Sequence, residues 1–263
     1  RVGREYEERA AEIGDLGKIA FARRALVLNA LALGRRDELE ARLREAKAAS
    51  NAARASGMLY YVAFWDATIA LAEGRFDDAK KLSAQAQDLM RHDDRPDPLE
   101  INHMGHTLVS LFEQGMEAFL IPELERFLEG DFASRQSVRA VLANALATLG
   151  RSDDAKREVA VLAKDDWAQL PRDQSLPFSL RHLSEALARL GASDAAQSLE
   201  PLVAPYGGQL LIPSQGYWID GAADRALGLI AATTGRLDEA DALYAKALAL
   251  EDGFRTPALS ART

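Results

Sequence analysis

The chain has 263 residues, a net charge of −8 and no cysteine, with 48% apolar and 27% charged residues. Modules that grip DNA or RNA directly are normally basic, so the acidic balance argues against that class. The missing cysteines exclude a disulfide scaffold and a thiolate metal site and are compatible with the cytosol. No apolar run approaches the roughly 18–20 residues of a membrane span, and no secretory signal opens the sequence. Ala and Leu dominate, β-branched residues are sparse and prolines number only nine, which is helix composition.

Glycines that fit helix–helix turns set the register: Gly34, Gly74, Gly115, Gly150, Gly191 and Gly235, spaced 40, 41, 35, 41 and 44 residues apart. They divide the chain into a lone helix over 1–14 and helical hairpins over about 18–50, 57–91, 98–130, 133–164, 174–205 and 216–252. The lone helix reads as the second half of a unit whose first half is missing. The tail from Pro257 reads as the start of a further helix. The second helices open on paired acids, Asp77-Asp78, Asp153-Asp154 and Asp238-Glu239, which suit the positive end of a helix dipole. In the third hairpin Pro122 is tolerable only in a first turn, so that helix is expected to begin near Ile121. The stretch 205–216, with three Gly and two Pro, reads as an ordered loop that docks Tyr206, Leu210, Leu211 and Ile212 on the array. The clearest amphipathic stripe is the last one: Leu237, Ala240, Leu243, Tyr244, Ala247 and Leu248 recur three and four apart. The expected fold is all-α: residues 1–263 form one solenoid, each hairpin burying its apolar face on its neighbours.

No phosphate loop is present. Gly17-Lys18 lacks an upstream Gly and a hydroxyl, and Gly207-Gly208 lacks a Lys. Glu100, His103 and His106 lie three apart on one expected helix. They can ligate a metal only with carboxylates from partner helices, and none can be placed, so these histidines read as solvent-facing or core-edge. No Ser/His/Asp signature appears. The repetition of the acid pairs at helix starts points to capping rather than acid–base work. No catalytic residue, metal or cofactor is assigned, and the segment is expected not to be an enzyme.

In stacked hairpins the first helix of each pair lines the concave wall. Counting back from each turn glycine places Tyr61, Phe64, Thr68, Asn102, Val109, Asn144, Phe178, Arg181, Glu185, Arg225 and Leu229 there. Among Tyr60, Tyr61, Phe64 and Trp65, four consecutive helical directions mean that some pack in the core and one or two stay exposed as anchors for a peptide. Arg181 and Arg225 can hold a partner's acidic group, or pair with Glu185 or Asp224 of the chain itself. Asn102 and Asn144 can bond a peptide backbone or bridge helices.

The final hairpin, with Leu227-Gly228, the Gly235 turn, Ala240, Tyr244 and Ala247, resembles the tetratricopeptide repeat. GRFDDA and GRSDDA in the second and fourth hairpins match it in part, although the glycine spacing exceeds the ~34 residues of an ideal unit. The last third, through LEPLVAPYGG at 199–208, LGLIAATTGRLDEA at 227–240 and PALSART at 257–263, resembles the C-terminal helical-repeat region of bacterial STAND-type signalling proteins. These join a regulatory ATPase to an adenylate/guanylate cyclase or to a LuxR-type DNA-binding domain. The resemblance implies a right-handed superhelix, a cytoplasmic location and a non-catalytic regulatory role through protein–protein or interdomain contact. This segment would bind neither nucleic acid nor membrane. A sensor that binds a small effector in its concave channel is the alternative, and an enzyme on a helical solenoid the remote one.

Overall fold

The computed structural model describes residues 2–54, 56–89, 97–129 and 136–263, with the backbone alone at 2, 56 and 97–104. The described residues are all-α: fourteen α-helices, two 3-10 turns and no strand. In chain order these are α1 (Val2–Glu12), α2 (Leu16–Ala32), α3 (Arg36–Ala52), α4 (Ser56–Ala72), α5 (Phe76–Asp88), α6 (Asp97–Glu113) and α7 (Ile121–Glu129), then α8 (Gln136–Thr148), α9 (Ser152–Trp167), α10 (Leu176–Leu190), α11 (Ser193–Val203), α12 (Ala223–Thr233), α13 (Leu237–Phe254) and α14 (Pro257–Ser260). α7 begins at Ile121 with Pro122 in its first turn, where a missing N–H costs nothing.

The connections α2–α3, α4–α5, α8–α9, α10–α11 and α12–α13 share one turn. At Gly74 the backbone adopts φ +76°, Gly74 N–H bonds Leu71 O at 3.0 Å, and Arg75 N–H reaches back to Ala70 O at 2.9 Å. That is a Schellman closure, and its left-handed residue is cheap only as glycine. The residue after the glycine also starts the next helix: Arg75 O accepts from Ala79 N at 2.9 Å. Its side chain then meets the acid three residues on, in Arg35–Glu38, Arg75–Asp78, Arg151–Asp154 and Arg236–Glu239. These pairs are exposed and contribute little to stability. They do place acids in the first turn of α3, α5, α9 and α13, against the helix dipole.

Two apolar cores result. The larger runs from α4 through α12 and holds Phe64, Phe112, Leu146, Trp167, Leu183 and Ile230. The smaller joins α2, α3 and α4 to the far end of the chain: Val27, Leu31, Leu39 and Trp65 pack with Leu210, Ile219, Ala247, Phe254 and Leu259. First and last hairpins therefore meet. The Arg36 guanidinium lies over the Phe254 ring at 5.7 Å, and Arg255 reaches Asp37 and Glu40, each at 3.6 Å.

Two elements differ from the periodic reading. The sixth hairpin's first helix begins at Ala223, not near Tyr217. Residues 217–222 stay out of the helix because their backbone pairs with the preceding segment: Leu211 N–H donates to Gly221 O (2.8 Å) and Asp220 N–H to Leu211 O (3.0 Å). The tail folds into the single turn of α14 and returns to the protein interior, where Leu259 is buried.

Candidate functional site

The faces of the first helices expected to line an open wall are covered by two non-repeat segments of the chain. Residues 207–222 cover the α2–α4 side. Trp65 Nε1 donates to Gln215 O at 2.9 Å; Thr68 Oγ1 lies 2.7 Å from Tyr217 O and 3.0 Å from Gly216 O. Gly216 has φ +76°, and a Cβ there would stand 2.8 Å from Leu28 and 3.1 Å from the Trp65 indole nitrogen, so only glycine brings the backbone this close. Tyr217 stacks on Tyr61 (centroids 6.1 Å apart, planes 14°) and meets Phe64 edge-on at 5.0 Å. Of the four α4 aromatics, Tyr60, Phe64 and Trp65 are buried. Tyr61 remains partly exposed beneath the Arg24 guanidinium, 4.5 Å from its ring.

The α6–α12 side is covered by charge. Arg181 and Glu185 stand one turn apart on α10 and so share a face. Arg181 Nε lies 3.3 Å from Glu185 Oε1, Arg181 Nη2 lies 3.2 Å from Glu113 Oε1 at the end of α6, and Arg181 Nη1 lies 3.7 Å from Asp220 Oδ1. Arg225 of α12 donates to Glu185 Oε1 at 2.6 Å, and Asn144 of α8 donates to Glu185 Oε2 at 2.6 Å. Arg262, from the tail, forks between the two carboxylates, Nη1 to Glu113 and Nη2 to Glu185. Phe178 and Phe112 close over the neighbouring His182 edge-on, at 4.6 and 4.9 Å. Glu251 of α13 completes the enclosure: Oε1 accepts from Ala222 N–H at 2.9 Å, and Oε2 accepts from Thr263 Oγ1 at 2.8 Å.

Electrostatics follow from this packing. Burial pushes the Glu185 carboxyl up, but Arg181, Arg262 and Arg225 outweigh it and hold the group well below the usual carboxylate range. Burial and the adjacent Arg181 drive His182 well below its ordinary value, so the ring is neutral. A neutral imidazole has one acceptor nitrogen. It can accept from Asn144 at Nδ1 (3.0 Å) or from Arg181 at Nε2 (3.3 Å), not both. Burial raises Asp220 to about 7, against the pull of Arg181 and the 3.2 Å hydrogen bond from Trp218 Nε1. Burial likewise pushes the Glu251 carboxyl up.

Most of the residues expected on the wall thus come together, but beneath a cover. Phe64 and Thr68 lie under the loop; Asn144, Phe178, Arg181, Glu185 and Arg225 join one ionic cluster; Val109 is buried and Leu229 partly so. Of the two alternatives for the arginines, pairing with Glu185 is the one seen, while Asp224 instead accepts from Gly208 N–H at 2.8 Å. The side chains of Asn102, Glu100 and His103 lie outside the described residues. Sequence reasoning missed Glu113, His182, Trp218, Asp220 and Arg262. Nothing local marked Glu113, His182 or Arg262, because α6 and α10 carry several other polar residues and Arg262 lies in the tail.

The cluster can bind and orient a guanidinium. It offers no solvent-accessible nucleophile with a base, and no group of three or more His, Cys, Asp or Glu positioned for a metal occurs among the described residues. Open space lies elsewhere. A cavity of about 270 Å³ between α5 and α6 is lined by Phe76, Lys80, Ser83, His106, Ser110 and Gln114. A cleft of about 450 Å³ over α4 is lined by Lys47, Asn51, Val62, Asp66, Leu82 and Gln85. No helix among the described residues is long and apolar enough to cross a membrane. Compared with known proteins, the chain matches no family model, no curated protein and no solved structure.

Proposed function

We propose that the chain is a non-catalytic contact module. In this reading its six hairpins follow one another as a right-handed superhelix of tetratricopeptide type. It acts by binding another domain or protein in a bacterial signalling or transcription-regulating system. The observation that carries the reading is the use made of the inner face. The first helices hold two non-repeat stretches, the loop 207–222 and the helical turn 256–263, through backbone carbonyls, one tight glycine and an arginine fork. Those are the contacts by which a helical array takes up a peptide. Exposed apolar residues on α1, α2 and the turn between them, Tyr6, Ile13, Leu16 and Phe21, with Tyr6 and Phe21 edge to face at 6.1 Å, add a second contact surface. The test is calorimetric titration of the purified chain against an ATPase segment encoded in the same reading frame or operon. Saturable binding is expected. No heat, with far-UV circular dichroism intact, counts against the module.

The cleft over α4 favours a second reading, a small-effector sensor. Asp66 and Lys47 place opposite charges beside Val62 and Leu82, a pattern that suits a small zwitterion with an apolar body. Burial holds the Asp66 carboxyl above its ordinary value, opposed by Lys47. Amino acids screened by thermal shift should then raise the melting temperature, because a ligand of the folded state alone stabilises it.

A further inference from the structure

Residues 256–263 follow the capped C-terminus of α13. Arg255 takes the left-handed conformation at φ 65° and ψ 52°, unusual for a residue with a Cβ, and α14 is a single turn. Beside α13 the segment is held by Thr256, buried with its Oγ1 donating to Glu251 O at 2.9 Å, and by Ser260 Oγ, which donates to Asp252 Oδ1 at 2.7 Å. Leu259 is its one large apolar anchor, in the smaller core. Arg262 is its charged anchor, with one guanidinium nitrogen on a carboxylate of α6 and the other on a carboxylate of α10. Arg262 O accepts from Arg225 Nε at 3.3 Å, and Thr263 Oγ1 donates to Glu251. Pro257 and Ala261 are exposed, and the other side chains are small. The recognised pattern is therefore Leu-x-x-Arg on one helical turn.

The receptor is prepared for that pattern. Glu113 and Glu185 come from helices far apart in sequence, and Arg181 and Arg225 position them. Removing Arg262 leaves two buried carboxylates facing a space the size of a guanidinium. A planar fork can bridge both; a lysine ammonium, as a point charge, cannot do so with the same geometry.

We propose that residues 256–263 are a tethered ligand, and that the surface formed by α4, α6, α10, α12 and α13, with the leucine in the smaller core and the arginine between Glu113 and Glu185, is a binding site for an arginine-bearing peptide of Leu-x-x-Arg pattern, which exchanges with the tail. This rests on the contact-module reading and names its partner class. Tethering supplies an effective concentration on the order of millimolar, so a modest intrinsic affinity keeps the tail seated until a partner with more apolar contact displaces it.

The experiment uses the full chain carrying Leu259→Ala and Arg262→Ala, titrated into a fluorescein-labelled peptide of residues 256–263 and followed by anisotropy. The peptide should bind this variant at least tenfold more tightly than the wild-type chain, whose own tail competes. A peptide with Arg262→Lys should bind at least tenfold more weakly. No binding by a variant of wild-type helix content, or equal binding by variant and wild type, would falsify the proposal. If the double variant fails to fold, hydrogen exchange on the unaltered chain decides. Amides of 258–263 must exchange at least tenfold faster than those of α10, and equal protection makes the tail a fixed structural element. Either failure leaves the ATPase titration free to succeed, so the broader reading is judged separately.

Discussion

The faces of the first helices are covered by different chemistry in two regions. Over α2 and α4 the cover is aromatic and apolar: Tyr217 stacks on Tyr61, and Gly216 presses its backbone onto Leu28, Leu31 and Trp65. Over α6 to α12 it is ionic, with Arg181, Arg225 and Arg262 sharing Glu113 and Glu185. Apolar burial is non-directional and scales with area, so the first cover depends little on salt or pH, and its tight point is the single backbone approach at Gly216. Burying charge costs several kcal/mol per ion and is offset only when every partner is in place. The second cover is therefore specific, and sensitive to the loss of any one member.

That contrast can be broken first at Glu185. Glu185→Ala strips three arginines and Asn144 of their shared acceptor and should destabilise the fold by about 3–5 kcal/mol in urea titration. A loss below about 1 kcal/mol would mean that the cluster relaxes into water. The apolar side is probed by Gly216→Val, which adds a left-handed β-branched residue and crowds Leu28 at once, for about 2–4 kcal/mol. Unlike the first, that loss should be insensitive to salt and pH.

A pH experiment sharpens the difference. Asp220, which faces Arg181, Trp218, Glu113 and Arg262, titrates at about 7 in the folded chain against 3.8 ordinarily. Between about pH 4 and 7 only the folded state holds this proton, so its contribution to stability is full below that window and is lost as pH rises through it. Glu185 is shifted the other way; its contribution is full above 4.5 and lost only as pH falls further. Asp220→Asn should therefore match the wild type near pH 4 and melt higher at pH 8, by about 2–4 °C for each kcal/mol recovered. A gap independent of pH, or of opposite sign, refutes the assignment. The smallest effect is expected at the turns: Arg151→Ala removes an exposed pair with Asp154 and should cost no more than about 0.5 kcal/mol.

The sequence determined what is local. Glycine at a left-handed turn, acids in the first helical turn and apolar residues three and four apart are satisfied within a dozen residues. Hence the glycine turns between helices and the α7 start at Ile121 were legible, whereas which of Tyr60, Tyr61, Phe64 and Trp65 pack inside was left open, and Phe64, expected on an open wall, is buried. Tertiary structure alone decided what lies over the inner face. Periodicity marks a face as apolar without saying what covers it, so 217–222 read as helix although their backbone pairs with 211 instead. Arg262 reads as a solvated tail charge because its partner Glu113 lies 149 residues away, and no local spacing encodes a contact at that distance.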